Sequence, residues 1–407
     1  MRKLLLFMMA ICFSGWSFGQ ISGTFTIPGA PYATIAAAIS AINTSGVGAG
    51  GATFNVTAGY TETFASPTAG TITTNTGTLA NQIKFQKSGA GANPKITAAV
   101  GIGTMDAIIT FAGVQYVTFN GIDVYESAGN VTTTTQMEWG YAVLKNSATQ
   151  GSQNITIQNC TVSLNNTNTA SWGIYSNNHT NASTTQLTVT AATGQNSNNK
   201  FYGNTITNCY NGIYLYGYAD ATAPYTYYDQ NNDIGSVTGN TINNFGGGTV
   251  AEYMIYVYYQ NGVNIANSNI SGTSATGTAS IYGIYGGTSN NANANIYGNT
   301  ISIVQTVATT GYIYAIYNTG LGTTGTSNTL NIYNNTVQNC QAPASTTSYF
   351  YGIYNSATAF TCNFYGNTVT TTSSAEVTTC ICVILLKQQQ ELPMFTTTQS
   401  AITSVQG

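Results

Sequence analysis

The 407 residues predict an all-β solenoid of stacked parallel strands, with a short helix closing its N-terminal end. Three observations carry that expectation. Two short motifs alternate strictly along the chain, and their copies recur about every 30–40 residues, the signature of a repeat architecture. Thr, Tyr, Ile, Val and Asn dominate the repeats while Glu, Lys and Arg are scarce, which favours strands over helical repeats. Only 5% of the chain is charged, yet 43% is apolar and 12% aromatic, enough to build a large core.

The first 19 residues read as an export signal: Arg2 and Lys3, an apolar run from Leu4 to Phe13, then Ser17-Phe18-Gly19 as a small-x-small cleavage site. That run is about ten residues, half of the roughly 20 needed to span a bilayer. Without the signal the chain holds 6 Lys, no Arg and 11 acids, a net charge of −5. No second long apolar stretch follows, so the mature chain is expected to have no membrane span and to work outside the cell or on its surface. Nucleic acid is excluded as a partner, because that binding needs clustered Lys and Arg.

Residues 20–115 are expected to hold the cap and the first rungs, with the Ala-rich stretch 33–42 as the capping helix. Residues 116–380 carry the repeats. The first motif reads FYGNTI at 201–206, IYGNTI at 296–301, IYNNTV at 332–337 and FYGNTV at 364–369. Degenerate copies are FNGI at 119–122, ITIQNCTV at 155–162, VTGNTI at 237–242 and NIANSNI at 264–270. Aligned on Asn120, Cys160, Asn204, Asn240, Ser268, Asn299, Asn335 and Asn367, they step by 40, 44, 36, 28, 31, 36 and 32 residues. The second motif appears as WGIY at 172–175, NGIY at 211–214, YMIY at 253–256, YGIY at 282–285, YAIY at 314–317 and YGIY at 351–354.

In TLNIYNNTV, strand alternation puts Leu330 and Ile332 on one face and Asn331 and Tyr333 on the other. The chain then bends, returning Asn335 and Val337 to the inside. Asn204, Asn240, Asn299, Asn335 and Asn367 are therefore expected to form a buried ladder, each amide bonding the turns above and below and satisfying the backbone at the bend. Tyr202, Tyr297, Tyr333 and Tyr365 face out in a column, Tyr333 and Tyr365 about 4.8 Å apart. Two readings of that column stand side by side: cross-strand stacking that stabilises the sheet, and an aromatic platform for the rings of an extracellular polysaccharide or cell-surface glycan. The outward threonines Thr205, Thr241, Thr300, Thr336 and Thr368 suggest an ice-binding lattice, but the bulky neighbouring tyrosines and uneven steps argue against it.

The L-N-I-Y-N-N-T-V pattern resembles the rungs of right-handed parallel β-helices of the pectin-lyase-like superfamily. YATIAAAISAIN (32–43), ATFNVTAGYTE (52–62), NQIKFQKSG (81–89) and VQYVTFNGIDV (114–124) resemble that fold's opening helix and first rungs. The resemblance covers about residues 21–380 and implies a right-handed coil. It says little of activity, since this fold hosts lyases, hydrolases, adhesins and passive surface proteins. Pectate lyases of the fold use a calcium-binding acid cluster with an Arg or Lys base, and the mature chain has no Arg. The aspartate, His and Arg/Lys pattern of the polygalacturonase relatives is missing as well. The SFGQ signal end and the Asn/Thr/Tyr-rich style resemble exported surface proteins of Bacteroidetes-type bacteria.

Few residues suggest chemistry. Asp220, Asp229 and Asp233 share the loop GYADATAPYTYYDQNND and are a candidate Ca²⁺ group, although their spacing fits no known loop signature. Asp123 and Glu126, with Glu138 near the following strand, form a second acidic group. Loop charges that aid solubility explain both. His179, the only histidine, is expected in a solvated loop, SNNHTNAST. Cys160, Cys209, Cys340 and Cys362 are expected as buried thiols. No cofactor is indicated. From 381 to 407 the repeat character stops where a YGIY-like strand is due. Read two bases out of frame, a suitable choice of codons for 388–402 yields TTGTTNVYNNTISNN, which restores the first motif; the tail is expected to be out of frame and the solenoid truncated. The whole predicts a non-enzymatic structural or adhesive protein of the cell surface, with a polysaccharide lyase or glycoside hydrolase as the alternative.

Overall fold

The computed structural model describes residues 19–274, 276–344 and 350–370, with the backbone of Cys380–Ile384 and Thr396–Thr397. The signal segment up to residue 18, most of the 381–407 tail and the frame of that tail lie outside the described residues. Among those described, the chain is an all-β parallel solenoid of about eleven turns with very little helix.

Each full turn adds one strand to each of three parallel sheets, which hold 11, 11 and 10 strands. The register is that of the repeats. On the first sheet Asn331 pairs with Asn295 and Asn363, Ile332 with Ile296 and Phe364, and Tyr333 with Tyr297 and Tyr365. Inside, Phe54, Phe85, Phe119, Ile157, Phe201, Ile234, Ile265, Ile296, Ile332 and Phe364 form one continuous buried column. Full burial of such side chains contributes about 1.5–3 kcal/mol each. The backbone of Cys380–Ile384 runs parallel to Phe350–Asn355 as a further strand of the third sheet.

The bend between the first and second sheets explains the Y-[G/N]-N-T spelling. Its second position has positive φ in Gly203 (61°), Asn267 (51°), Gly298 (66°), Asn334 (54°) and Gly366 (64°), a conformation open to Gly and tolerated by Asn. The next residue points inward. Asn299 donates its Nδ2 to the Ile265 carbonyl (2.9 Å) and to Asn335 Oδ1 (2.9 Å), and that same Oδ1 accepts the Asn299 backbone N–H at 3.1 Å. Asn335 repeats this with Asn367 and the Ile296 carbonyl, and Asn204 with Asn240 and the Ile157 carbonyl. Ser268 takes the place of Asn between Asn240 and Asn299. Asn120 is two residues out of this register: it pairs with Gln158 on the outer face, and the inward place of its turn belongs to Ile122. The FNGI segment therefore aligns with FYGN, where motif spacing alone put its Asn on the ladder.

The second motif, x-G-I-Y, has its own steric reason. Trp172 and Tyr175 lie on the outer face while Gly173 and Ile174, between them, both face the core. A Cβ on Gly173 would sit 2.4 Å from Ile206 Cγ2, and one on Gly352 2.7 Å from Val369 Cγ1. Two consecutive inward positions let both flanking aromatics face out. A helix spans Ile35–Ser45 and buries Ile35, Ala38, Ile39 and Ile42. Its free N-terminal amides are held by the Glu62 carboxylate, which accepts from Ile35 (2.7 Å) and Ala36 (3.0 Å).

The ladder sets a measurable contrast. Asn299→Ala orphans the Ser268 N–H and the Ile265 carbonyl, and buried unsatisfied groups cost about 1–3 kcal/mol each. Urea unfolding is expected to show a loss of about 3 kcal/mol for Asn299→Ala, against less than about 1 kcal/mol for the outward Asn331→Ala.

Candidate functional site

Of the outward tyrosine column, three members form a continuous stack. Tyr297 and Tyr333 lie 4.9 Å apart with planes 5° from parallel, and Tyr333 and Tyr365 4.8 Å apart at 14°. Tyr202 is not part of it. Two turns intervene, with Gly235 and Ala266 at the equivalent positions, and its hydroxyl donates to Asp233 Oδ2 at 2.8 Å. Beside the stack runs an outer amide ladder, in which Asn295, Asn331 and Asn363 each donate Nδ2 to the Oδ1 of the preceding member, beginning at Asn264 (2.7–2.8 Å).

The larger aromatic surface lies on the third sheet. One column holds Tyr175, Tyr214, Tyr256, Tyr285, Tyr317 and Tyr354, with successive centroids 4.8–5.4 Å apart. The adjoining column holds Trp139, Trp172, Asn211, Tyr253, Tyr282, Tyr314 and Tyr351. Tyr253, Tyr282, Tyr314 and Tyr351 stack at 4.9, 4.8 and 4.7 Å, at 9°, 1° and 13°. The signal for this face was in the second motif, whose first and fourth letters are aromatic in copy after copy; reading only the first motif's tyrosines missed it. Ring faces cover one another along most of these columns, the Tyr285–Tyr317 step being tilted by 45°, so the surface presents mainly ring edges and hydroxyls. Burial, then neighbouring phenols, push the Tyr214, Tyr256 and Tyr282 hydroxyls well above the usual phenol range, which keeps this face uncharged.

Asp220, Asp229 and Asp233 are not gathered into a site. Asp220 accepts the Thr222 and Tyr227 N–H groups, both at 3.0 Å. Asp229 is fully buried, accepts from the Asn196 N–H at 2.9 Å and faces Lys145 Nζ at 3.6 Å. Asp233, on the outer face of the first sheet, accepts from Tyr202 and Ser236. Calcium needs six to eight converging oxygens; these carboxylates diverge and each is already engaged. Among the described residues no three His, Cys, Asp or Glu groups are placed to hold a metal.

His179 corrects the expectation of a solvated loop. It lies on the strand Trp172–Thr180, fully buried, with Nε2 3.1 Å from the Tyr175 hydroxyl and Nδ1 2.7 Å from the Thr180 carbonyl. The strand carries on past WGIY through SNNHT with every residue from Gly173 to His179 buried, which composition alone disguised as loop. Cys160, Cys209, Cys340 and Cys362 are buried thiols.

The second acidic group is tied to backbone. Asp123 Oδ1 accepts from the Thr161 N–H (2.7 Å), Glu126 from the Met137 N–H (2.7 Å), and Glu138 from the Asp106 N–H (2.9 Å). Burial, then the nearby Asp106, push Glu138 up to about 7, and burial likewise raises Glu252 to about 7. Two cavities flank this region: one of about 420 Å³ lined by Glu126, Asn130, Gln136 and Leu164 among others, one of about 310 Å³ lined by Asp106, Met105, Thr110 and Asn181. Neither of these two cavities is lined by all three carboxylates.

No family model matches the sequence, and no curated protein matches it at significant similarity. Solved structures do. The chain is similar to a GH136 lacto-N-biosidase from Eubacterium ramulus at 12% identity and a TM-score of 0.48, over 90% of this chain and 64% of the other. It thus spans less than two thirds of the biosidase's length. It is also similar to the A-module of a mannuronan C-5 epimerase from Azotobacter vinelandii, at 14% identity and a TM-score of 0.42 over 92% and 94% of the two chains. A surface adhesin of Streptococcus pneumoniae, PfbA, matches at 12% identity and a TM-score of 0.37, over 78% and 86%. No helix among the described residues is long and apolar enough to cross a membrane.

The raised glutamates fix the sign of the pH dependence. From the ordinary value of 4.5 up to about 7, the native chain keeps protons on Glu138 and Glu252 that the unfolded chain releases. Stability therefore falls as pH rises through that window, by at most about 1.4 kcal/mol per pH unit for each group. Urea titrations at the two ends of the window are expected to give the higher midpoint at the acid end, and Glu252→Gln is expected to flatten the difference.

Proposed function

We propose that this is an exported, non-enzymatic surface protein that uses its third-sheet face to hold a polysaccharide, as a structural or adhesive element. The observation that carries the reading is the paired tyrosine columns, in register from Tyr253 and Tyr256 to Tyr351 and Tyr354. They offer uncharged hydroxyls at the repeat of the turns, about 4.8 Å. Because the ring faces are largely covered, sugars are held by hydrogen bonds to phenol oxygens rather than by stacking on rings. The cleaved signal at residues 1–19 belongs to this reading. So do a right-handed winding, the sense that parallel crossovers favour, and shielding of the first rung by the helix Ile35–Ser45.

The test separates hydroxyls from stacking. The triple variant Tyr253→Phe, Tyr282→Phe, Tyr314→Phe keeps the rings and removes three hydroxyls, each worth about 0.5–1.5 kcal/mol as a hydrogen bond. On a panel of neutral and acidic polysaccharides, one that the parent retains is expected to bind the triple variant about tenfold or more weakly, with little change in Tm. Retention of no polysaccharide, or equal retention by both proteins, overturns the proposal.

The alternative, a lyase or glycoside hydrolase, has one observation in its favour: Glu138, raised to about 7, beside Asp106. Such a pair is the kind of acid that glycoside cleavage needs. Release of reducing or unsaturated ends from the same panel, abolished in Glu138→Gln, would move the assignment to that class.

A further inference from the structure

The buried end of the third-sheet column has hydrogen bonds whose direction can be read. Thr180 offers only a carbonyl to His179 Nδ1 (2.7 Å), so Nδ1 carries the ring hydrogen and Nε2 is a free acceptor. Asn177 Oδ1 accepts from the Asn178 N–H (2.7 Å), which turns its Nδ2 toward the Tyr175 oxygen. That oxygen already accepts from Asn177, so its own hydrogen points to His179 Nε2, 3.1 Å away. The pair is sealed from solvent, Tyr175 being 9% and His179 0% exposed. Trp139 lies flat on Tyr175 at 4.1 Å and 5°. From Tyr175 the column continues through Tyr214, Tyr256, Tyr285 and Tyr317 to Tyr354, stacked but for a 45° tilt between Tyr285 and Tyr317, no step exceeding 5.4 Å.

We propose that Tyr175 is a one-electron redox site, a buried phenoxyl-radical sink reached by electron transfer along the stacked tyrosines, with His179 as its proton acceptor. An outer-sphere one-electron oxidant takes an electron from the solvent-facing part of the column and is reduced by one electron. Neighbouring rings refill the hole in turn until it reaches Tyr175. There the phenol O–H bond breaks, the proton passes to His179 Nε2, and a neutral phenoxyl stays beside an imidazolium. Burial and the nearby Lys145 charge both lower the hold of the imidazole on that proton, and Asp229, 3.6 Å from Lys145 Nζ, offsets part of the lysine's charge. A one-electron reductant reverses the step, and the proton returns to the phenol oxygen. Tyrosines whose hydroxyls face water have no such base, so the hole settles at the buried end.

The full chain is oxidised with photogenerated tris(bipyridine)ruthenium(III), persulfate being the sacrificial acceptor, and followed by freeze-quench EPR and transient absorption. The parent is expected to give one long-lived tyrosyl signal with an exchangeable hydrogen-bond proton, decaying more slowly in deuterated water. Tyr175→Phe is expected to lose that signal, and His179→Gln to shorten its life about tenfold, the size of one charge-assisted hydrogen bond. Tyr256→Phe, which interrupts the column, is expected to slow its appearance. The same long-lived signal in Tyr175→Phe overturns the proposal. Where a buried variant fails to fold, the parent decides alone: a signal spread over many tyrosines, with no exchangeable proton and no isotope effect, overturns it equally.

Discussion

The constraint on which the solenoid depends is hydrogen-bond satisfaction at the inner bend. From Cys160 to Asn367 each turn folds back into a dry interior just after the first-sheet strand, and there one backbone N–H and one carbonyl would lie buried without a partner. Asparagine carries a donor and an acceptor on a side chain too short to reach elsewhere. Asn299 and Asn335 close both gaps and hook onto the next turn in the same geometry. Serine manages part of this at Ser268, whose Oγ donates to the Ala266 carbonyl and accepts from Asn240. Cysteine manages less at Cys160, whose backbone N–H still relies on Asn204.

Fixing the bend fixes the register, and a fixed parallel register places like residues on like. Inside, this aligns phenylalanines and isoleucines; outside, asparagines and tyrosines. A strand that slipped by one residue would turn its tyrosines into the core. The outer order is therefore a consequence of the inner one. The second motif contributes by setting two successive residues inward, so most third-sheet strands from Trp172 to Tyr354 show two aromatics where simple alternation gives a different spacing. The density of stacked tyrosine on that sheet follows from this local irregularity.

This explains what the sequence could reveal. The ladder asparagines and the outward Tyr297, Tyr333 and Tyr365 were legible because the motif repeats with one spelling, and alternation then determines which side each residue faces. Asn120 was misplaced because FNGI has the right letters two positions early, and only strand pairing separates FNG from YGN. Tyr202 lost its neighbours because Gly235 and Ala266 stand in turns too degenerate to align by eye. The burial of His179, Lys145 and Asp229 was hidden for another reason. They come from separate turns, Lys145 pairing with Thr180 and Asp229 with Gln260, and no local pattern records that the coil brings Lys145 and Asp229 together. The acidic residues looked like free loop charges, yet most of them cap backbone amides, a role that depends on the partner strand.

The outer face restricts what can be bound to it. Rings stacked at 4.7–4.9 Å leave no room for another ring between them, so an aromatic or sugar ring cannot intercalate. What remains are rows of neutral hydroxyls and amides, each contributing about 0.5–1.5 kcal/mol net. One or two such bonds cannot offset the several kcal/mol lost when a free ligand is immobilised. A short saccharide is therefore held weakly, in the millimolar range or above. A linear polymer differs, because once one unit is placed the next is delivered at high effective concentration. Affinity then grows with the number of turns engaged, and it does so only if the ligand's repeat can keep pace with rungs about 4.8 Å apart. A ladder of identical turns is thus suited to a partner that is itself extended and repetitive.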